Sequence, residues 1–283
     1  MHVLVLRSYG DYIILLNSIS HSTLKDRIKI ITSRHLEPLH EAIGFSFSNN
    51  FEFIFKDFGI KKGILRYFTN RYFLSLNTIL EIVKLKKDIN QLSTKEGHIY
   101  LEHKSRKQLL KFLLSKRIRH IYTNGNVYDA FKEFFKADFD NNHFNLPESK
   151  KLNKVLIFPD SRKQNKVIDA TTMKLLTNNL KNLNVDYKIA KFSNINNIDN
   201  KADDLVAYKD FKELVTLVNH CDFIISSDSL PVHIAEFFEK PHLILYNRKI
   251  NHNWLTPFAI KHKMYSTFEN ASILIKSYFK QSC

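Results

Sequence analysis

Short runs of β-branched and aromatic residues recur along this chain with helical patterns between them, and that alternation restricts the fold more than any other feature. VLVL ahead of RSYGD, IKIIT ending at Thr32, FEFIF (51–55), HIYLE (98–102) and IRHIYT (118–123) form a first series. VLIF (155–158), VDYKIA (185–190), LVAY (205–208), DFIIS (222–226) and HLILY (242–246) form a second. Between them LNTILEIVKLKK, SRKQLLKFLLSKR, MKLLTNNLKNL and FKELVTLVNH carry the helical period, and in the last Phe211, Leu214, Val215 and Val218 fall on one face. Strands spaced by helices argue for parallel βα units. The polar stretch DNNHFNLPESKKLNK (140–154), with Pro147 and no sustained apolar period, separates the two series. The expectation is an α/β chain of two halves, residues 1–145 and 146–283.

Open parallel sheets bind ligands beyond the carboxyl ends of their strands. Four polar clusters follow strands here: Ser8 to Asp11, Pro159 to Lys166, Tyr208 to Asp210 and Ser226 to Ser229. A cleft between two such halves would gather them. The last cluster opens SDSLPVHIAEFFEKP (227–241), which has a helix start, Pro231 in the first turn and Pro241 past the end. Two readings stand. Ser227 or Asp228 caps the helix, or the exposed helix N-terminus is an anion site of the kind that holds a pyrophosphate. Along the helix Ser229, His233, Glu236 and Lys240 share one stripe, and Leu230, Ile234, Phe237 and Phe238 supply the apolar side. A histidine in such a place is either a hydrogen-bonded core residue or a ligand contact.

FPDSRKQNK (158–166) gathers Ser161, Arg162, Lys163, Asn165 and Lys166 after a strand, groups that grip phosphates by hydrogen bonds and charge. A solvated basic loop would read the same way. No Walker-type loop and no GxGxxG occur among only 6 glycines, which disfavours NTP hydrolases and dinucleotide oxidoreductases. The formal charge of +15 points to polyanionic company, although a lysine- and asparagine-rich composition also arises from an AT-rich genome. Lys61, Lys62, Arg66 and Arg71 interleave with aromatics over residues 51–73, a mixture suited to an anionic membrane face or a phosphorylated glycolipid acceptor, and also to single-stranded nucleic acid. Cys221 and Cys283 make neither a disulfide framework nor a metal-ligand spacing, and no cluster of carboxylates suggests a metal. Without an apolar run long enough to span a bilayer or a signal peptide, the chain is expected in the cytoplasm.

The order of RSYGD, FPDS with a following lysine, and SDSLPVHIAEFFEKPHLILY resembles glycosyltransferase family 9, the heptosyltransferase-like enzymes of bacterial surface polysaccharide synthesis. That resemblance implies the GT-B fold, two Rossmann-like domains facing across a cleft, with an acceptor domain first and a donor domain second. It implies an inverting, metal-independent transfer with no cofactor, from a nucleotide-diphosphate sugar to a hydroxyl of a surface glycan or lipopolysaccharide-type acceptor. By position Asp11 matches the catalytic base and Gly10 the turn presenting it. Ser161 and Lys166, with Lys163 and Tyr208 beside them, match the donor contacts, and Asp228, Ser229 and His233 the nucleotide-diphosphate site. Lys61, Lys62, Arg66 and Arg71 fall to the acceptor or to a peripheral contact with the inner membrane, and nucleic acid is the disfavoured partner. Asp160 and Leu230 stand where the family has glycine, and the tryptophan common after the lysine is absent, departures that put donor binding in question. The rival readings are a nucleotide-sugar epimerase or hydrolase of the same fold, and a non-catalytic sugar-nucleotide or nucleic-acid binding protein.

Overall fold

A computed structural model describes residues 1–5, 8–57, 98–103, 118–122, 124–138, 154–161, 163–193 and 204–280, with positions 80, 83 and 87 described singly. The chain divides into two compact units, Met1–Asp138 and Phe139–Cys283. The polar stretch 140–154 follows this division, and all of it but Lys154 lies outside the described residues.

Among the described residues the first unit has five strands: β1 (His2–Val5), β2 (Ile28–Ser33), β3 (Phe51–Lys56), β4 (Ile99–His103) and β5 (Ile118–Tyr122). They pair parallel in the order β3-β2-β1-β4-β5. A central strand covered on both faces must be apolar throughout, and β1 is buried at every position. The helix Tyr9–Ser20 follows it and buries Tyr12 to Ile19. The helix Val127–Phe135, capped by Asn126 accepting from the Tyr128 amide, packs against that helix. At the sheet edge Phe53 and Phe55 of β3 lie 4.5 and 5.2 Å from the His40 ring. The basic aromatic segment 51–73 therefore begins as an edge strand whose alternate phenylalanines pack inward. Lys61, Lys62, Arg66 and Arg71 lie outside the described residues.

The second unit has β6 (Val155–Phe158), β7 (Tyr187–Phe192), β8 (Leu205–Tyr208), β9 (Phe223–Ser227), β10 (His242–Tyr246) and β11 (Tyr265–Thr267). These also pair parallel, in the order β8-β7-β6-β9-β10-β11. Counted from β6 this is 3-2-1-4-5-6, the Rossmann order, and the first unit is its five-stranded counterpart. β11 escapes the sequence reading because its three residues are too few to show a period. The helix Ala170–Asn182, capped by Asp169, sends Leu176 and Leu180 into a core with Val155, Ile157, Phe223 and Ile225. In the helix Phe211–Asn219 the expected face is realised, with Leu214, Val215 and Val218 buried. Strand order reverses between β1 and β4, and again between β6 and β9. In the second sheet the helix after β6 packs on the face of Val155 and Ile157 and the helix after β9 on the face of Ile244, so a crevice opens at the carboxyl ends of β6 and β9.

Candidate functional site

At the crevice between β6 and β9 the register pairs Phe158 with Ser226, so Pro159 leaves the sheet beside Ser227, the last residue of β9. The loop after β6 folds back on itself, with the Lys166 amide donating to the Lys163 carbonyl at 2.9 Å and the Ile168 amide to the Pro159 carbonyl at 3.0 Å. This turn carries Lys166 onto the end of β9. Its Nζ lies 2.5 Å from Asp228 Oδ2 and donates to the Asp228 carbonyl at 2.8 Å. The other carboxylate oxygen, Oδ1, is 3.9 Å from His233 Nε2. Lys166 from one motif and Asp228 and His233 from another thus meet where the strand order reverses.

The capping reading of SDSLPVH is not realised. The helix is Leu230–Phe237 with Ser229 at its N-cap position, and Ser229 makes no side-chain cap. Its hydroxyl instead donates to the Ser227 carbonyl at 3.2 Å and meets Ser226 Oγ at 3.1 Å, while the Asp228 carboxylate goes to Lys166. The first turn of the helix thus has neither a side-chain cap nor an acidic residue of its own. The Ser227 hydroxyl, fully buried, has no hydrogen-bond partner.

The ligand-facing stripe expected along this helix is corrected. Pro231 to Phe237 are all buried, because the helix packs on β9, β10 and the helix Phe211–Asn219, and Lys240 lies beyond its end. His233 is 4% exposed, and burial, opposed by Asp228 and reinforced by Lys166, pushes its imidazole down to about 4. It is neutral near pH 7 and stands beside Asp228 as an uncharged ring. Glu236 faces away from the crevice, accepting from the Phe258 amide at 3.3 Å and standing 3.7 Å from His242 Nε2. Burial pushes its carboxyl up to about 8.

Ser161 is half-buried and accepts from the Lys163 amide at 3.4 Å, and Lys163 is exposed. Tyr208 ends β8 with its ring 6.1 Å from Phe158 and 5.7 Å from Phe192. Burial and then the Asp160 charge push its hydroxyl up to about 12. In the first unit Asp11 is half-buried in the first turn of Tyr9–Ser20, after the end of β1. Gly10 lies inside that turn and does not take the left-handed conformation expected of a presenting glycine. The helix already begins at Tyr9, so Asp11 is held by helical geometry instead.

One part of the site was missed in the sequence. Asn247, Arg248 and Lys249 follow β10, and the Asn247 side-chain amide donates to the Asn165 carbonyl at 3.4 Å. The signal was present in NRK directly after HLILY, a polar cluster at a strand end like the other four. Among the described residues no three His, Cys, Asp or Glu are grouped to hold a metal ion. Nor is any helix among them long and apolar enough to cross a membrane.

The sequence profile described as glycosyltransferase family 9 (heptosyltransferase) matches residues 126–273, more than half of the chain. The chain belongs to glycosyltransferase family 9. It is a glycosyltransferase, and its two Rossmann-like units are those of the GT-B architecture. The E. coli heptosyltransferase WaaC with ADP is similar at 11% identity and TM-score 0.59, over 100% of both chains. A family 9 glycosyltransferase from Veillonella parvula is similar at 13% identity and TM-score 0.61, over 99% of this chain and 96% of that one. The E. coli ADP-heptose lps heptosyltransferase II is similar at 13% identity and TM-score 0.55, over 99% of each. At such identities the likeness speaks for the fold. No curated protein sequence matches the chain. The two family 9 glycine positions occupied here by Asp160 and Leu230 do not require glycine, since neither residue has a positive φ. Their side chains change the surface offered to a ligand, not the backbone that forms it.

Proposed function

We propose that this enzyme transfers a sugar, with inversion and without a metal, from a nucleotide-diphosphate sugar to a hydroxyl of a lipopolysaccharide-type or other surface-glycan acceptor. The observation that carries the reading is the Lys166–Asp228 pair laid across the β6/β9 crevice, at a helix N-terminus that no side chain caps. Helix N-termini and fixed donors stabilise the charge that develops on a leaving diphosphate. Ser161, Lys163, Lys166 and Ser229 would contact the diphosphate. Asp228 holds Lys166, His233 supports Asp228, and Tyr208 with Asp160 borders the nucleoside. Asp11 would accept the proton of the attacking hydroxyl. ADP in WaaC, and the ADP-heptose named for heptosyltransferase II, support a nucleotide-diphosphate sugar and suggest a heptose.

Ser229→Ala or Lys166→Ala should weaken nucleotide-diphosphate binding by about 1–3 kcal/mol, the usual loss for a charge-assisted hydrogen bond. Calorimetry with ADP and UDP tests this, and unchanged affinity in both variants would remove the anion-site reading. Transfer should survive EDTA.

The cations of segment 51–73 would bring the enzyme to its anionic acceptor at a membrane surface. Binding to vesicles containing phosphatidylglycerol should weaken as salt rises, and again when Lys61, Lys62 and Arg66 become glutamine. Equal binding to neutral vesicles would count against the peripheral contact, and tighter binding to single-stranded DNA would favour a nucleic-acid role for the segment.

A further inference from the structure

Building on the diphosphate reading above, we infer that Arg248 and Lys249, in the loop after β10, supply cationic contacts to the donor diphosphate beyond the single proton that Lys166 has left to give. The ammonium of Lys166 already donates to the Asp228 carboxylate and carbonyl, at 2.5 and 2.8 Å, so two of its three protons are engaged. Its charge is matched by a carboxylate that is 7% exposed. Asp160 adds a second negative charge at the end of β6. Among the described residues of the loops after β6 and β9, Asp160 and Asp228 therefore offset Lys163 and Lys166. A diphosphate brought there adds further negative charge, and the helix N-terminus contributes only about half a unit of positive charge.

The missing cations lie one strand away. β10 pairs with β9 in a register that sets Leu245 beside Ser227, so the residues after Tyr246 leave the sheet next to Asp228 and Ser229. Burial and then the Asp228 charge push the Tyr246 hydroxyl up, which agrees with that adjacency. The Asn247 side chain ties the loop to the turn that bears Lys166 by its bond to the Asn165 carbonyl. Arg248 and Lys249 come next in the chain, and both are exposed. A guanidinium offers a planar fork to two phosphate oxygens, and an ammonium offers a compact charge. They would add two positive charges to those of the loop after β6, and they would favour a diphosphate over a single phosphate.

Inorganic pyrophosphate and inorganic phosphate probe this without assuming a base or a sugar. By calorimetry on the full chain, the double variant Arg248→Gln/Lys249→Gln should bind pyrophosphate at least about tenfold more weakly, with a smaller change for phosphate. The charge-keeping exchange Arg248→Lys/Lys249→Arg should retain most of the affinity. Because both side chains are exposed, the unfolding temperature should not move. Lys166→Ala serves as the reference. If it weakens pyrophosphate binding while the double glutamine variant binds as the parent does, the inference is overturned and the diphosphate site stands. Equal loss in the charge-keeping exchange would also overturn it, since loop shape rather than charge would then matter. If the parent binds no pyrophosphate, or all variants bind it alike, the diphosphate reading itself fails and the inference falls with it.

Discussion

Asp11→Asn is expected to fold normally, to bind nucleotide diphosphate as the parent does, and to lose about 100-fold or more in sugar transfer. The reason lies in what asparagine keeps and what it cannot do. Asp11 stands in the first turn of the helix Tyr9–Ser20, where a negative charge meets the positive end of the helix dipole. Replacing the carboxylate by an isosteric amide forfeits only about 0.3–1 kcal/mol of that interaction. General base catalysis is different, because an amide does not accept the proton of the attacking hydroxyl, and positioned proton transfer accounts for about 100- to 10,000-fold in rate. The diphosphate contacts proposed above all belong to the second unit, so donor affinity should not move. Transfer assays with calorimetry on the same preparation separate the two effects. Near-normal transfer in the variant would leave Asp11 a helix-terminal carboxylate and this mechanism without its base.

The second expectation concerns stability. Glu236, His242 and Thr256 form a buried polar set beneath the site, with His242 Nδ1 donating to the Lys240 carbonyl at 2.8 Å and Nε2 lying 2.6 Å from Thr256 Oγ1. Burial favours the neutral form of each titrating member. Glu236 is raised from 4.5 to about 8, so its contribution is complete below the unfolded value and is lost as pH climbs towards 8. His233 and His242 are each lowered from 6.5 to about 4, so theirs is complete above 6.5 and is lost as pH falls towards 4. The two histidines outweigh the one glutamate on the acid side. The second unit should therefore be most stable near pH 6.5 and lose about 2 kcal/mol by pH 8, at about 1.4 kcal/mol per pH unit. Glu236→Gln keeps an acceptor for the Phe258 amide and has no proton to lose, so its stability should stay level over that interval. The chain's one tryptophan, Trp254, is two residues from Thr256, and its fluorescence during urea unfolding reports this unit. A decline of equal size in the glutamine variant would assign the pH dependence to another group.

Legibility in the sequence followed the range of the interaction concerned. Leu214, Val215 and Val218 were readable as a helix face because a 3.6-residue period is local, and the helix buries those residues. β11 was not readable, since its three residues become a strand only through pairing with β10. The stripe of Ser229, His233 and Glu236 shows the same limit from the other side. Spacing put them on one helical face, but burial by β9, β10 and a neighbouring helix left His233 an uncharged ring 3.9 Å from Asp228 and sent Glu236 to His242 and the Phe258 amide. Capping at Asp228 was a fair local inference that lost to a partner 62 residues away, because Lys166 offers Asp228 a full charge where a backbone amide offers a dipole.

The sequence by itself determined the class of fold, the two series of βα units, and the strand ends, after β1, β6, β8 and β9, where polar residues collect. Those properties follow from side-chain period and from the chirality of parallel crossovers, which act over short stretches of chain. Only the tertiary structure decided which of those residues meet. The strand order set β6 beside β9 and β9 beside β10, and that adjacency joined Lys166 to Asp228 and Asn247 to Asn165. It also decided protonation, because the charge on His233 and Glu236 depends on how much water surrounds them, and burial is a property of the packed domain that no local pattern contains.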